Sequence, residues 1–201
     1  MERLEKQIQF ILELDKIKKI RRQTYLTDGI EKEDDAQHSW HLAVMCIILQ
    51  EYANESIDVL KTMSMVLIHD VIEIDAGDTY AYDEAGNQTK QERELKAAER
   101  IFNILPQDQA EYMRSLWDEF EEMQTAESKF ANAMDKIQPM LLNDATGGKA
   151  WREHGVAISQ IMERNSHTKE ATEQLWDHMS KILHKNIDLG NIRKDEEEWN
   201  V

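Results

Sequence analysis

Apolar residues recur at helical spacing along most of the chain. Leu4, Ile8, Ile11 and Leu12, continued by Leu14, Ile17 and Ile20, predict one or two amphipathic helices over the first twenty residues. A polar stretch from Thr24 through Asp28-Gly29 to Asp35 follows. Asp34 or Asp35 can accept a hydrogen bond from the free amides of a new helix, which runs through Trp40, Leu42, Val44, Cys46 and Leu49 to about Tyr52. Another begins near Ser56 and continues to about Ile72. From 74 to 89, Gly77, Gly86, Asn87 and several aspartates break the period and predict a loop, a common carrier of function. Helices at about 90–104, 107–123, 126–143, 151–164 and 168–189 complete the pattern, with Pro106 at a first turn and Gly147-Gly148 as a break. The pattern predicts an all-α fold, a single helical bundle over residues 1–190, followed by an acidic tail over 191–201.

Composition agrees with that reading. Two prolines and seven glycines in 201 residues are too few to punctuate a many-stranded sheet, and the length fits one domain. Against 24 Lys and Arg stand 40 Asp and Glu, a net charge of −16, which opposes binding to a nucleic acid polymer. The longest unbroken apolar run, Leu42 to Leu49, is too short to span a membrane, and the N-terminus has no apolar signal core. Cys46 is the only cysteine, so no intrachain disulfide can form, and a cytoplasmic location is expected. Ten Met and five Trp on slim helices predict an apolar patch and a homodimer.

Candidate chemistry lies where charge interrupts apolar sequence. The segment Met63 to Ile72 is apolar on nearly every face, which predicts a helix buried all round, yet it contains His69-Asp70. A buried carboxylate without a partner costs several kcal/mol, so a metal, the adjacent histidine or a cation from elsewhere must satisfy it. His38 sits in the first turn of the preceding helix, and a short link between antiparallel helices can bring it toward Asp70. Asp135 shares a face with Ala131 and Leu142, apart from the stripe of Phe130, Met134, Ile137 and Leu141, so it too is enclosed. Two imidazoles and two carboxylates, His38, His69, Asp70 and Asp135, suit one divalent ion from among Mn, Co, Fe, Ni, Zn or Mg.

The order His38, His69-Asp70, Asp135 resembles the H…HD…D signature of the HD-domain metal-dependent phosphohydrolases, over roughly residues 5–160. Ala36-Gln37-His38-Ser39 and the run from His69 to Asp78 are similar to the small bacterial HD hydrolases related to the 5′-deoxynucleotidases. Glu73, four residues after His69, shares its helical face. The resemblance implies that Glu73 and Asp78 flank the reacting water and the scissile phosphate, as base or orienting group and as acid or substrate contact. It implies that Arg22 grips the phosphate, and that the substrate is a small phosphate monoester such as a (deoxy)nucleoside 5′-monophosphate. Gln23 departs from the pattern, standing where the best-known deoxynucleotidases place a tryptophan beside the arginine. Lys136 and the segment from Gly147 to Arg152 place cations near the site and are read chiefly as helix-start chemistry. Two rival readings are a catalytically silent metal-binding helical scaffold and a two-iron oxygenase. The oxygenase needs further histidines between the HD pair and the last aspartate, and residues 71–134 have none.

Overall fold

The computed structural model of the chain describes residues 2–195 apart from 84, 85 and 87. Its helices are α1 (Arg3–Leu14), α2 (Asp35–Leu49), α3 (Val59–Ile68), α4 (Glu73–Ala76), α5 (Lys90–Phe102), α6 (Gln107–Glu122), α7 (Ala126–Ala145), α8 (Lys149–Glu153), α9 (Ile158–Arg164), α10 (Thr168–Ala171) and α11 (Glu173–Asp188). Helix starts follow local hydrogen-bond chemistry. Asp34 Oδ1 accepts from the Gln37 amide at 2.9 Å while Gln37 Oε1 accepts from the Asp34 amide at 3.0 Å, closing a capping box on α2. Asp58 and Thr125 cap α3 and α7 in the same manner, each accepting from an amide three residues on.

The structure corrects the expected pattern in four places. The polar stretch after Ile20 contains a short antiparallel hairpin, β1 (Arg21–Tyr25) with β2 (Lys32–Asp34), in an otherwise helical fold. The helix expected to reach Ile72 ends at Ile68, and His69–Ile72 form a 3₁₀ turn. It is also not buried all round, because Leu67 faces outward. Part of the expected loop after Ile72 is the single turn α4, closed where Gly77 adopts φ +76° and donates to the Glu73 carbonyl. The helices expected at 151–164 and 168–189 are each two pieces.

Two apolar clusters fill the interior. The larger gathers Leu42, Met65, Phe130, Met134, Ile137, Trp176 and Leu183 between α2, α3, α7 and α11. The smaller gathers Phe10, Ile17, Val71, Ile72, Ile101, Phe102 and Trp117 between α1, the 3₁₀ turn, α5 and α6. Residues 191–195 return to the body: Ile192 is buried, Arg193 bridges Ala157, and Asp195 accepts from Ser159. The remainder of the expected tail, 196–201, lies outside the described residues. Gly147 and Gly148, at φ +63° and +72°, turn the chain from α7 into α8. A Cβ on Gly148 would fall 2.5 Å from Asn191 Cβ, whereas one on Gly147 would meet nothing within 4 Å. No described helix is long and apolar enough to cross a membrane.

Candidate metal centre and active-site cavity

His38 comes from the first turn of α2, His69 and Asp70 from the 3₁₀ turn, and Asp135 from α7. His38 is wholly buried, and its Nδ1 lies 3.1 Å from Gln138 Oε1. Gln138 Nε2 donates to Glu33 Oε1 at 2.6 Å, which fixes the amide so that its oxygen faces the ring. An amide oxygen only accepts, so His38 Nδ1 is the donor and Nε2 keeps its lone pair. His69 repeats the device, its Nδ1 donating to the Val66 carbonyl at 2.9 Å. His69 Nε2 is buried with no hydrogen-bond partner. Each imidazole is thus held through Nδ1 and turns its Nε2 toward Asp135, the orientation that metal-binding histidines require.

Asp135 Oδ1 lies 3.0 Å from His38 Nε2 and 3.7 Å from His69 Nε2. A proton or a metal ion between these atoms satisfies the 3.0 Å pair. His38, His69 and Asp135 each offer an atom within 4.8 Å of the others. First-row ions sit about 2.0–2.2 Å from N and O ligands, which separates neighbouring ligand atoms by about 3 Å. The group fits a divalent ion by geometry and by donor chemistry. Asp70 borders the trio, its Oδ1 3.2 Å from His69 Nε2 and its Oδ2 4.0 Å from His38 Nε2.

Charge around the trio is unusually dense for an interior. Arg22 Nη1 donates to Asp70 Oδ2 at 2.7 Å and to Asp35 Oδ1 at 3.2 Å, while its Nε has no hydrogen-bond partner. Burial favours a neutral His69, but Asp70 and Asp135 outweigh it and push the imidazole up to about 9. Burial likewise opposes ionisation of Asp135, yet contacts with His38 and His69 hold it well below the usual carboxylate range. Glu73 moves the other way: burial, reinforced by Asp70, Asp78 and Asp35, pushes it up to about 10. Its Oε2 is buried without a partner. Burial also raises Asp78.

An open cavity of about 260 Å³ lies over these groups and is lined by Arg22, Gln23, His69, Asp70, Glu73, Asp78 and Asp135, with Tyr80, Tyr82 and Phe120 among its apolar walls. All of the expected site residues except His38 line it, and His38 stands directly behind Asp135. Sequence reasoning missed Glu33, Asp35 and Gln138 as site residues. It also missed Arg164, which ends α9 with Nη2 3.5 Å from Asp135 Oδ2. Gln138 was within reach of a pattern argument, since it follows Asp135 by one helical turn. Lys149 and Arg152 are engaged elsewhere, Lys149 with the Gly29 carbonyl and Arg152 with the Gly147 carbonyl and Asn191, consistent with a structural part at the start of α8.

The HD-domain family profile matches residues 14–176, most of the chain, and the chain belongs to that family. A crystal structure from Magnetospirillum magnetotacticum MS-1, described as a "Predicted metal-dependent phosphohydrolase", superposes with a TM-score of 0.91 at 42% identity, covering 94% of this chain and 95% of that one. Among curated relatives, cattle "5'-deoxynucleotidase HDDC2" is 26% identical over 135 residues, 67% of this chain and 64% of that protein. The corresponding Dictyostelium discoideum protein is 29% identical over 132 residues, 63% of this chain and 70% of that protein. The chain thus aligns with somewhat less than two thirds of the length of the cattle protein. The PH0347 protein of Pyrococcus horikoshii OT3, at 20% identity and a TM-score of 0.62, shares the fold.

Proposed function

We propose that this protein is a metal-dependent phosphohydrolase that releases inorganic phosphate from a small phosphate monoester, with (deoxy)nucleoside 5′-monophosphates as the substrate class. The observation that carries the reading is the pair of pre-oriented Nε2 atoms facing Asp135, with His69 and Asp135 lining an open cavity. The names of the relatives support the same chemistry, and Tyr80 and Tyr82 offer an aromatic wall to a nucleobase. His38, His69, Asp70 and Asp135 would hold one divalent ion, which supplies Lewis acidity toward a phosphoryl oxygen and lowers the pKa of water from 15.7 toward about 7. Water oxygen adds to phosphorus as the ester P–O bond breaks, and the alcohol departs with a proton. Glu73 and Asp78 stand over the floor, where one orients the water and the other contacts the scissile phosphate or protonates the leaving oxygen. Arg22 neutralises Asp70 and Asp35 through Nη1, has Glu33 and Asp135 within 3.9 Å of its other nitrogens, and lines the cavity in which it would meet a phosphate.

The test is a metal-by-substrate matrix on chelator-stripped protein, scoring phosphate release. Release with at least one pairing is expected. Restored thermal stability with metal, but no release from any ester in a broad panel, would instead identify a silent metal-binding scaffold.

We further propose a cytoplasmic homodimer. Leu4, Ile8, Ile11 and Leu12 on α1, and Trp40, Ile47 and Ile48 on α2, are all exposed. Light scattering at micromolar concentration should give twice the chain mass, and a monomer refutes the dimer.

A further inference from the structure

Four cationic side chains line the cavity: Arg22, Lys90, Lys136 and Arg164. Three of them face carboxylates. Arg22 is bonded to Asp70 and Asp35, Lys90 Nζ lies 3.4 Å from Glu94 Oε1, and Arg164 Nη2 lies 3.5 Å from Asp135 Oδ2. Lys136 is different. Among the described residues no carboxylate stands within ion-pairing distance of its Nζ, which instead contacts Met123 Sδ at 3.9 Å. Its side chain is half-buried, in a chain with 40 acidic residues against 24 basic ones. An ammonium partly withdrawn from water without an ion-pair partner is costly, and in so acidic a protein the lack of a direct partner sets Lys136 apart in this cavity.

Lys136 follows Asp135 in α7, and Arg164 Nη2 lies 3.5 Å from Oδ2 of the same Asp135. Both side chains line the same cavity, so an anion held there meets two cations. Asn132 and Asn165 line the same cavity and add neutral donors. We infer that Lys136 and Arg164 form an anion subsite beside the metal ligands, which binds phosphoryl oxygens of the substrate that Arg22 does not reach. Arg22 has the carboxylates of Glu33, Asp35, Asp70 and Asp135 within 3.9 Å of its guanidinium nitrogens, whereas the Lys136 ammonium has three donors and only the weak acceptor Met123 Sδ as a partner. The subsite rests on the phosphohydrolase reading for its substrate, but its affinity for phosphate can be measured without turnover.

The experiment is calorimetric titration of inorganic phosphate into the manganese-loaded full chain, with metal content measured on the same samples. A charge-assisted hydrogen bond lost from a half-buried site weakens binding by about 10- to 100-fold. Lys136→Met is expected to weaken phosphate binding by that order while retaining manganese, and Lys136→Arg to restore affinity to within a few fold. Arg164→Met should give a loss in the same direction. Unchanged phosphate affinity in Lys136→Met overturns the inference, as does absence of phosphate binding by the parent. Loss of manganese in Lys136→Met also overturns it, by assigning the lysine to the support of Asp135. Failure of the phosphohydrolase reading has another signature: the parent binds phosphate in a Lys136-dependent way yet hydrolyses no ester.

Discussion

The two apolar clusters do different work. The larger is built from long helices that meet along their lengths, and it carries His38 on α2 and Asp135 on α7. The smaller holds the 3₁₀ turn and α4 against α1 and α5, and it supports Asp70 and Glu73. Residues 65–76 cross from one to the other: Met65 and Val66 belong to the large cluster, Val71, Ile72 and Ala76 to the small one, and Ile68 packs on both. His69-Asp70 sit at the crossing. A continuous α-helix there would leave the Val66 carbonyl in the helical ladder. Here that carbonyl accepts from His69 Nδ1 at the end of α3, where the chain tightens into the 3₁₀ turn. The comparison teaches that one cluster supplies rigidity, and the seam between the two supplies ligand geometry.

Removing a seam ligand should have the largest effect. His69→Ala or Asp70→Ala is expected to abolish metal uptake and with it all phosphate release, and normal metal stoichiometry in either purified variant would remove the site. Next comes Glu73→Gln, which preserves size and hydrogen bonding. It should keep metal and fold while lowering turnover by about 10²–10⁴-fold, the usual contribution of a positioned acid or base. Turnover within a few fold of the parent, at saturating metal and substrate, would make Glu73 structural.

The clusters themselves can be separated by denaturant midpoint and metal titration. Phe130→Ala in the large cluster should cost about 3–5 kcal/mol of stability with metal affinity intact in the folded fraction. Ile72→Val at the seam should cost only about 0.5–1.5 kcal/mol, yet weaken metal binding several-fold. Equal metal affinities in the two variants would break the comparison.

The smallest expected effect is on pH. In metal-free protein, His69 is raised from 6.5 to about 9, so its stabilising contribution is complete below 6.5 and lost as pH rises through 9. Glu73, raised from 4.5 to about 10, acts in the same direction, since the folded state disfavours its charged form. Asp135, held below 3.8, contributes stability that disappears only in acid. The thermal midpoint of stripped protein should therefore fall from pH 6.5 to 9, and metal should restore more stability at 9 than at 6.5. A flat profile in stripped protein would contradict these shifts.

The helices were legible in the sequence where apolar period and end signals coincided, as at Asp34 and Pro106, whereas the caps Asp58 and Thr125 emerged only in the structure. The hairpin was not, because Arg21 to Tyr25 carry no alternating apolar face and take their places from contacts to Asp34 and Lys32. The 3₁₀ turn was hidden for the opposite reason: Met63 to Ile72 is so uniformly apolar that no period marks a break. In the site, the His69-Asp70 pair and Asp135 were visible as charge within apolar sequence, and His38 by its place in the first turn of the preceding helix and by the order of the motif. Glu33, Asp35 and Gln138 were not, because a buried polar residue is recognised by its partner, and theirs lie on distant segments. Pro139, inside α7, removes the amide that would bond the Asp135 carbonyl, loosening the helix beside a proposed ligand.

The glycine pair at 147 and 148 has a consequence for how this chain can diverge. Both need a left-handed backbone, which Asn and Asp tolerate best among other residues. Position 147 opens on empty space, so such replacements carry only the backbone cost there. Position 148 is closed by Asn191, itself pinned by Arg152 and Asn186. Drift at 148 is therefore tied to drift at 191: a side chain enters one position only as the other shrinks. A smaller residue at 191 would open position 148, and with it the turn into α8 and the cavity wall formed by Ala150 and Trp151, to change.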